Sequence, residues 1–160
     1  MRHSSRCGQM MIEAMVALSI VLVGLLGIFS LVSRSLSLNR VATEQYTGAN
    51  LAAEGIEIVK NILDANALQK NAWNMGVAPG EYQVDYTSAS LAQYGGVPLH
   101  YDPATGMYSY AGPETTSYNR KITVSQPSPD EIVVDSTVSW TTRDSGQFQV
   151  DLEDHFFNWR

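Results

Sequence analysis

Cysteine, histidine and charge are all scarce in this sequence, and each shortage excludes a class of protein. Cys7 is the only cysteine among 160 residues, so no disulfide within the chain can hold its fold together. Only 16% of the residues are charged and three are histidine. The sequence contains no zinc-ligand spacing, no phosphate loop, no dinucleotide fingerprint and no Gly-x-Ser-x-Gly. It therefore predicts a protein that is not an enzyme, with no catalytic residues, no cofactor and no metal.

Basic residues are also few, with 10 lysines and arginines against 16 aspartates and glutamates, for a net charge of −6. Binding to phosphates needs clustered lysine and arginine, so nucleic acid is not an expected partner. Two short runs, His100–Asp102 and Glu153–His155, contain side chains that can ligate metal, but further ligands at suitable spacing are missing. A calcium site built from loop oxygens stays open, although the spacing matches no recognisable calcium loop.

Long stretches of the N-terminal region lack proline and charge. No proline precedes Pro79, so nothing prevents one helix from running through the first third of the chain. The twenty residues from Ala14 to Ser33 carry no formal charge and are mostly Ala, Val, Leu, Ile and Met. As a helix they would be about 30 Å long, the thickness of the hydrocarbon core of a bilayer. We therefore predict that residues 9–33 form a transmembrane half of a long helix.

A short basic segment precedes this apolar run. Arg2, His3 and Arg6 favour a cytoplasmic N-terminus, which sends the remainder of the chain across the membrane. A cleaved secretory signal peptide is the alternative, but its apolar core is usually shorter and ends in a small-x-small site that is absent here. A lipoprotein signal is excluded because Cys7 lies before the apolar run. The expected location is a single-pass protein of the cytoplasmic (inner) membrane with its C-terminal head outside.

The junction between these two segments reads Gly8-Gln9-Met10-Met11-Ile12-Glu13. A glycine that ends a basic leader, followed five residues later by a lone glutamate at the start of an uncharged helix, resembles the processing site of type IV prepilins and of the pseudopilins of type II secretion. The resemblance covers about the first 63 residues. Within it, residues 50–57 look like the same segment in the minor pilins around the pilus modification proteins and in the I-type minor pseudopilin.

This resemblance implies roles for three residues. A prepilin peptidase would remove residues 1–8 by cutting between Gly8 and Gln9, and would methylate the new amino terminus of Gln9. The Glu13 carboxylate would then pair with the amino terminus of a neighbouring subunit, which relieves the cost of a buried charge. The implied partners are this peptidase, membrane lipid before assembly, the inner-membrane assembly platform and other pilin subunits. Gln9 and Met10–Met11 depart from the residues that are common in the family.

Residues 34–68 are predicted to continue the helix as an amphipathic, extracytoplasmic half. Apolar and small residues recur at spacings of four and three, which defines one helix face. This predicted face consists of Leu38, Ala42, Gln45, Ala49, Ala52, Ile56, Val59 and Leu63. Glu54 and Glu57 lie on the opposite, polar face. A catalytic acid pair is one interpretation of them, but solvation of an exposed face explains them better.

Residues 69–160 are predicted to form a β-rich globular head. Glycine and proline divide its first part into turns and short strands, with a strand at Tyr82–Tyr86 and a tight turn at Pro103–Gly106. Seven of the eight tyrosines lie between Tyr82 and Tyr118, either as a contact surface or as ordinary half-buried strand residues. Alternating apolar residues then predict an antiparallel meander with a turn at Arg143–Gly146 and one apolar face.

Helix and sheet each expose an apolar face that the other can cover. The sequence thus predicts an α+β, pilin-like architecture, in which a long N-terminal helix packs on a C-terminal antiparallel β-sheet. The predicted function is that of a structural minor pilin, which is processed after Gly8 and assembled into a type IV pilus through its N-terminal helix. A minor pseudopilin of a type II secretion system is the alternative. A signal-anchored extracytoplasmic binding domain that never enters a filament is a third hypothesis.

Overall fold

The computed structural model describes residues 4–142 and 146–158, with side chains from residue 9 onward. The predicted α+β architecture is confirmed: a single long helix, α1, packs on a C-terminal antiparallel sheet. The chain divides into two compact units, Met1–Ala42 and Thr43–Arg160. The elements are α1 (Ser4–Leu68), β1 (Gly80–Gln83), β2 (Ala92–Gln93), β3 (His100–Asp102), β4 (Met107–Ser109), β5 (Glu114–Thr115), β6 (Asn119–Ser128), β7 (Glu131–Thr141) and β8 (Gln147–Phe157).

Two antiparallel sheets make up the β-structure of the described residues. The larger has the strand order β2-β1-β6-β7-β8, and the smaller has the order β4-β3-β5. Strands β6, β7 and β8 form the predicted meander, because their apolar residues alternate with polar ones and share one face. On that face Ile132, Val134, Val138 and Trp140 of β7 are all buried. The expected turn between β7 and β8 falls largely on residues 143–145, which lie outside the described residues.

The second compact unit has its core between the sheet and the part of α1 from Thr43 onward. Two clusters of buried side chains fill this space, and helix residues contribute to both of them. One contains Ile58, Val59, Leu63, Val77, Val84, Ile122, Val124, Ile132 and Val134. The other contains Leu51, Ala52, Leu99, Tyr118, Val138 and Trp140. Burial of each large side chain contributes about 1.5–3 kcal/mol, so these clusters supply most of the stabilisation of the head.

The face of α1 that meets the sheet is only partly the predicted one. Ala52, Val59 and Leu63 are buried as expected. The prediction is wrong for Leu38, Ala42 and Gln45, which are exposed, while Ala49 and Ile56 are half-buried. The observed face is completed by residues that the spacing rule omitted, namely Gly48, Leu51, Gly55 and Ile58. Glycine has no side chain that a hydrophobic spacing rule can count. Gly48 and Gly55 nevertheless lie where the backbone of the helix is in contact with side chains of the sheet.

The helix ends through a residue in the left-handed conformation. Lys70 has φ 58°, and the Asn71 N–H donates to the Asn66 carbonyl over 3.0 Å. This arrangement stops the helix and turns the chain toward the head. The Asn66 side chain, which is buried, donates to the carbonyls of Trp73 and Met75 and fixes the following loop.

Two local predictions can be compared directly with the structure. The turn between β3 and β4 is confirmed, with a 2.8 Å hydrogen bond from Gly106 N to Asp102 O and φ 73° at Gly106. The strand predicted over Tyr82–Tyr86 is shorter than expected, because β1 ends at Gln83. Asp85 instead starts a turn, since its carboxylate accepts hydrogen bonds from residues that follow it.

Candidate functional site

The residues singled out by the N-terminal resemblance all lie on α1. Gly8, Gln9 and Glu13 are helical, and the side chains of Gln9 and Glu13 are exposed. Glu13 comes four positions after Gln9, so the two side chains share one face of the helix. Within the residues that the structure describes, the Glu13 carboxylate has no hydrogen bond and no ion pair. A carboxylate at the edge of an apolar helix is costly in that state, by a few kcal/mol in a membrane.

The helix that follows Glu13 exposes apolar side chains on every side. Its most apolar window of 18 residues has a mean hydropathy of 2.7, and none of that window is buried. Length and composition therefore make this helix able to span a membrane once. The large exposed side chains include Met10, Met11, Ile12, Met15, Val16, Leu18, Ile20, Val21, Leu22, Val23, Leu25, Leu26, Ile28, Phe29, Leu31 and Val32. Such a surface requires lipid or other helices around it.

In the head, a buried arginine joins the helix to the sheet. The Arg120 side chain is 0% exposed, and its Nη1 donates to the Leu51 carbonyl at 2.9 Å. The same nitrogen lies 3.3 Å from Glu54 Oε2, while Nη2 donates to the Val84 carbonyl. Arg120 is absent from the residues predicted from sequence, and Glu54 was expected on a solvated face. The available signal was the period of two along β6, because Arg120 lies two residues before the buried Ile122 and therefore on the same face of the strand.

A second buried charged residue, Asp85, lies just after the end of β1. The Asp85 carboxylate is buried and accepts hydrogen bonds from Thr87 N, Thr87 Oγ1, Ser88 Oγ and Tyr110 N, at 2.7–3.1 Å. Burial alone would raise the pKa of Asp85, but these hydrogen bonds outweigh it and the net pKa is lowered. Asp85 therefore stays ionised and ties the loop after β1 to the segment after β4.

Three of the tyrosines belong to a packed series of aromatic rings and do not form a free contact surface. Tyr101, Tyr108, Tyr118, Trp140 and Phe148 contact one another in that order, with ring centroids 5.1–6.1 Å apart. Tyr118 is buried, and its hydroxyl donates to a backbone carbonyl of α1 over 3.1 Å. Burial raises the pKa of Tyr118. Among the two interpretations of the tyrosine-rich region, the structure supports the half-buried one for this series.

The outer face of β7 and β8 is acidic. The His155 ring lies 2.8 Å from Glu131 Oε1 and 3.2 Å from Glu153 Oε1, and these carboxylates raise the pKa of His155. Asp135 faces Glu153 across the two strands. Burial, Asp151 and Glu153 raise the pKa of Asp135. Within the described ranges, no group of three or more histidine, cysteine, aspartate or glutamate residues is placed to hold a metal ion.

Comparison with known proteins adds no relative. No family model, no curated protein and no solved structure matches the chain. The assignment of the N-terminal segment therefore remains a prediction from Gly8, Glu13 and the apolar run that follows them.

Proposed function

We propose that this chain is a minor subunit of a type IV pilus, anchored in the cytoplasmic membrane before assembly and held in the filament by its N-terminal helix. One observation carries the proposal: the apolar part of α1, residues 9–33, exposes its side chains and bears a single carboxylate, Glu13, five residues after Gly8. Prepilin peptidase would cut after Gly8 and leave an amino group on Gln9. The cytoplasmic N-terminus and extracytoplasmic head follow from the basic leader.

The physical support is that both features lack a partner among the described residues. Burial of one valine, leucine or phenylalanine contributes about 1.5–3 kcal/mol, so the exposed surface of α1 favours lipid or a bundle of similar helices strongly. Within a dry bundle, an unpaired Glu13 would cost several kcal/mol. The amino group of Gln9 from a neighbouring subunit can remove that cost through a charge-assisted hydrogen bond. Pairing would also fix the stagger between subunits.

The first experiment is intact-mass analysis and N-terminal sequencing of the protein from membranes of its own host. We expect a chain that begins at Gln9, with or without one added methyl group. The matched control is the same strain without prepilin peptidase, which should yield the uncut chain. A chain that still begins at Met1 in the presence of active peptidase would favour the signal-anchored binding domain.

The second experiment tests Glu13 separately from cleavage. Glu13→Gln keeps the shape of the side chain and removes its charge, so the variant should be cut and inserted in the membrane but missing from sheared filaments. Glu57→Gln is the control, because it removes an exposed carboxylate from the same helix. Among the described residues, that carboxylate pairs with Lys60 at 3.5 Å. Equal incorporation of both variants would contradict the proposed role of Glu13.

A pseudopilus of a type II secretion system would use the same helix and the same carboxylate. Deletion of the gene separates the two functions, because loss of a minor pilin reduces surface piliation whereas loss of a minor pseudopilin blocks protein export. We expect reduced piliation with normal export. The reverse result would assign the chain to secretion and would leave the role of Glu13 unchanged.

A further inference from the structure

One edge of the larger sheet of the head is a long strand that has no neighbouring strand on its outer side among the described residues. The strand order β2-β1-β6-β7-β8 places β8 at the edge, and β8 is 11 residues long. The opposite edge is β2, which has only two residues. A long edge strand carries a row of backbone donors and acceptors that can pair with another chain.

The hydrogen-bond pattern shows which residues of β8 are available. Thr142 N donates to Gly146 O at 2.9 Å, and Asn158 N donates to Asp130 O at 2.8 Å. In an antiparallel pair the bonded residues alternate, so even-numbered residues of β8 bond to β7 and odd-numbered residues direct their N–H and C=O groups away. The odd-numbered residues are Gln147, Gln149, Asp151, Glu153, His155 and Phe157.

These outward groups are almost free of partners. Within residues 4–142 and 146–158, His155 N is the single outward N–H of β8 with an acceptor, and that acceptor is Asp154 Oδ1 at 2.9 Å. The side chains of all six odd-numbered residues are exposed. The β8 edge can therefore accept a further strand without any rearrangement of the sheet.

The two faces beside this edge differ in chemistry. On the outer face, Asp151 and Glu153 lie two residues apart, and Asp135 of the neighbouring strand is opposite Glu153. On the inner face, Val150 and Leu152 are only half-buried at the margin of the core. A strand added here would have its own alternate residues next to the carboxylates and the residues between them next to the apolar margin.

We propose that the β8 edge is a docking site for an extended segment of a different protein, with lysine or arginine on alternate residues and apolar residues between them. A second copy of this chain fits poorly. Full antiparallel overlap of two β8 strands would place Asp151 of each copy opposite Glu153 of the other. Like charges directly opposite each other destabilise a strand pair. This inference does not depend on the proposed pilus function.

The exposed charges also explain how the edge avoids indiscriminate pairing. Charged side chains on an edge strand are a common protection against aggregation. Here Asp151 and Glu153 both lie on the outer face, so neutral and acidic strands gain no opposite-charge contact there. A basic strand gains two opposite-charge contacts in addition to its backbone hydrogen bonds. The same charges that protect the edge thus select its partner.

The test uses the full chain in phosphatidylcholine nanodiscs and a fluorescent peptide, Val-Lys-Val-Arg-Val-Lys-Val, with empty nanodiscs as the background. Fluorescence anisotropy should show saturable binding. The double variant Asp151→Asn/Glu153→Gln should weaken binding by roughly tenfold, as expected for the loss of two exposed ion pairs. A peptide with glutamate in place of each basic residue should not bind.

A proline at the edge separates strand pairing from simple charge attraction. Gln149→Pro removes an outward N–H that makes no bond to β7, so the sheet is retained while the added ring blocks a new strand. We expect this variant to weaken peptide binding by more than tenfold, whereas the control Gln149→Ala should bind nearly as the native chain does. Amide exchange at Asp151 and Glu153 should slow on peptide binding.

Four results would overturn the proposal. The first is that the basic peptide does not bind. The second is that it binds Gln149→Pro as tightly as Gln149→Ala, which would mean that binding is non-specific charge attraction. The third is that the acidic peptide binds as tightly as the basic one. The fourth is that sedimentation of the native chain reveals a dimer that Gln149→Pro disrupts, which would assign the edge to a second copy.

Discussion

Replacement of Gly48 by alanine should destabilise the head, although alanine is the better helix former. A Cβ atom at this residue would lie 2.5 Å from Cζ3 and 2.9 Å from Cη2 of Trp140. Both distances are below the closest approach of carbon atoms, so either the ring or the helix must move. Trp140 has little freedom to move, because its ring centroid lies 5.8 Å from that of the stacked Phe148 ring and 5.6 Å from that of the Tyr118 ring.

Two opposing terms set the size of the effect. The gain in helix propensity from glycine to alanine is about 1 kcal/mol. Overpacking of a well-packed core costs about 1–3 kcal/mol, and the short distance to a ring that is held on both sides favours the upper end. The net loss of stability is then about 2 kcal/mol. For a unit of this size, that loss corresponds to a decrease in melting temperature of roughly 8 °C.

The assay is urea unfolding of the full chain in detergent micelles, followed by circular dichroism of the head. Gly27→Ala is the matched control, because beyond its chain neighbours and its own helix backbone no described atom lies within 4 Å of a Cβ at Gly27. In a Trp140→Leu background, Gly48→Ala should become neutral or stabilising by up to about 1 kcal/mol, since the clash is gone and the propensity gain remains. If Gly48→Ala is as stable as the native chain when Trp140 is present, the close contact between Gly48 of the helix and Trp140 of the sheet is wrong.

Three further predictions concern polar groups of the head. Glu54→Gln leaves the buried charge of Arg120 without its carboxylate and should cost about 2–3 kcal/mol of unfolding free energy, whereas Glu57→Gln should cost almost nothing in the same urea titration. Asp85→Ala should cost about 2–4 kcal/mol. Because the pKa of Asp85 is lowered in the folded state, its contribution to the unfolding free energy is present above the unfolded pKa near 4 and is lost as the pH falls through the folded pKa. The stability of the native chain should therefore fall more steeply in acid than that of Asp85→Ala. The pKa of His155 measured by NMR should exceed 6.5 and should fall in 1 M salt, which screens the carboxylates of Glu131 and Glu153. The contribution of this histidine to stability is complete below about pH 6.5 and is lost as the pH rises through the folded pKa. A value of 6.5 or less at low salt would contradict the ion pairs seen on β8.

Alternation made the C-terminal sheet predictable from sequence. In β7 every second residue from Ile132 to Trp140 is apolar or small and buried, and this period of two excludes a helix. The long helix was predictable for a different reason, since proline is absent before Pro79 and the apolar run is too long for a strand. Both signals are local, so each element could be recognised without knowledge of its neighbours.

The packing face of the helix depends on non-local information, and there the prediction failed in part. Hydrophobic spacing counts side chains, and it gives no weight to Gly48 or Gly55, where the helix comes within contact distance of the sheet. It also treats arginine as a surface residue. Arg120 is buried only because Glu54 and two backbone carbonyls meet its guanidinium in three dimensions. No pattern along one strand indicates those partners.

Arg120 of the sheet and Glu13 of the helix show why the head and the N-terminal segment call for different explanations. Arg120 is completely buried, and the Glu54 carboxylate and the two backbone carbonyls that contact its guanidinium belong to the same compact unit. Glu13 is bordered by an apolar helix and has no such contact among the described residues. The head therefore supplies partners for its own buried charge, whereas a carboxylate entering lipid or a helix bundle gains several kcal/mol from an external cation. The amino group of a neighbouring Gln9 has the right charge, and cleavage after Gly8 would create it at the matching depth of the helix. If so, loss of the Glu13 charge should leave the unfolding free energy of the head unchanged while it removes the chain from filaments, and a variant that loses both would mean that Glu13 serves the fold rather than assembly.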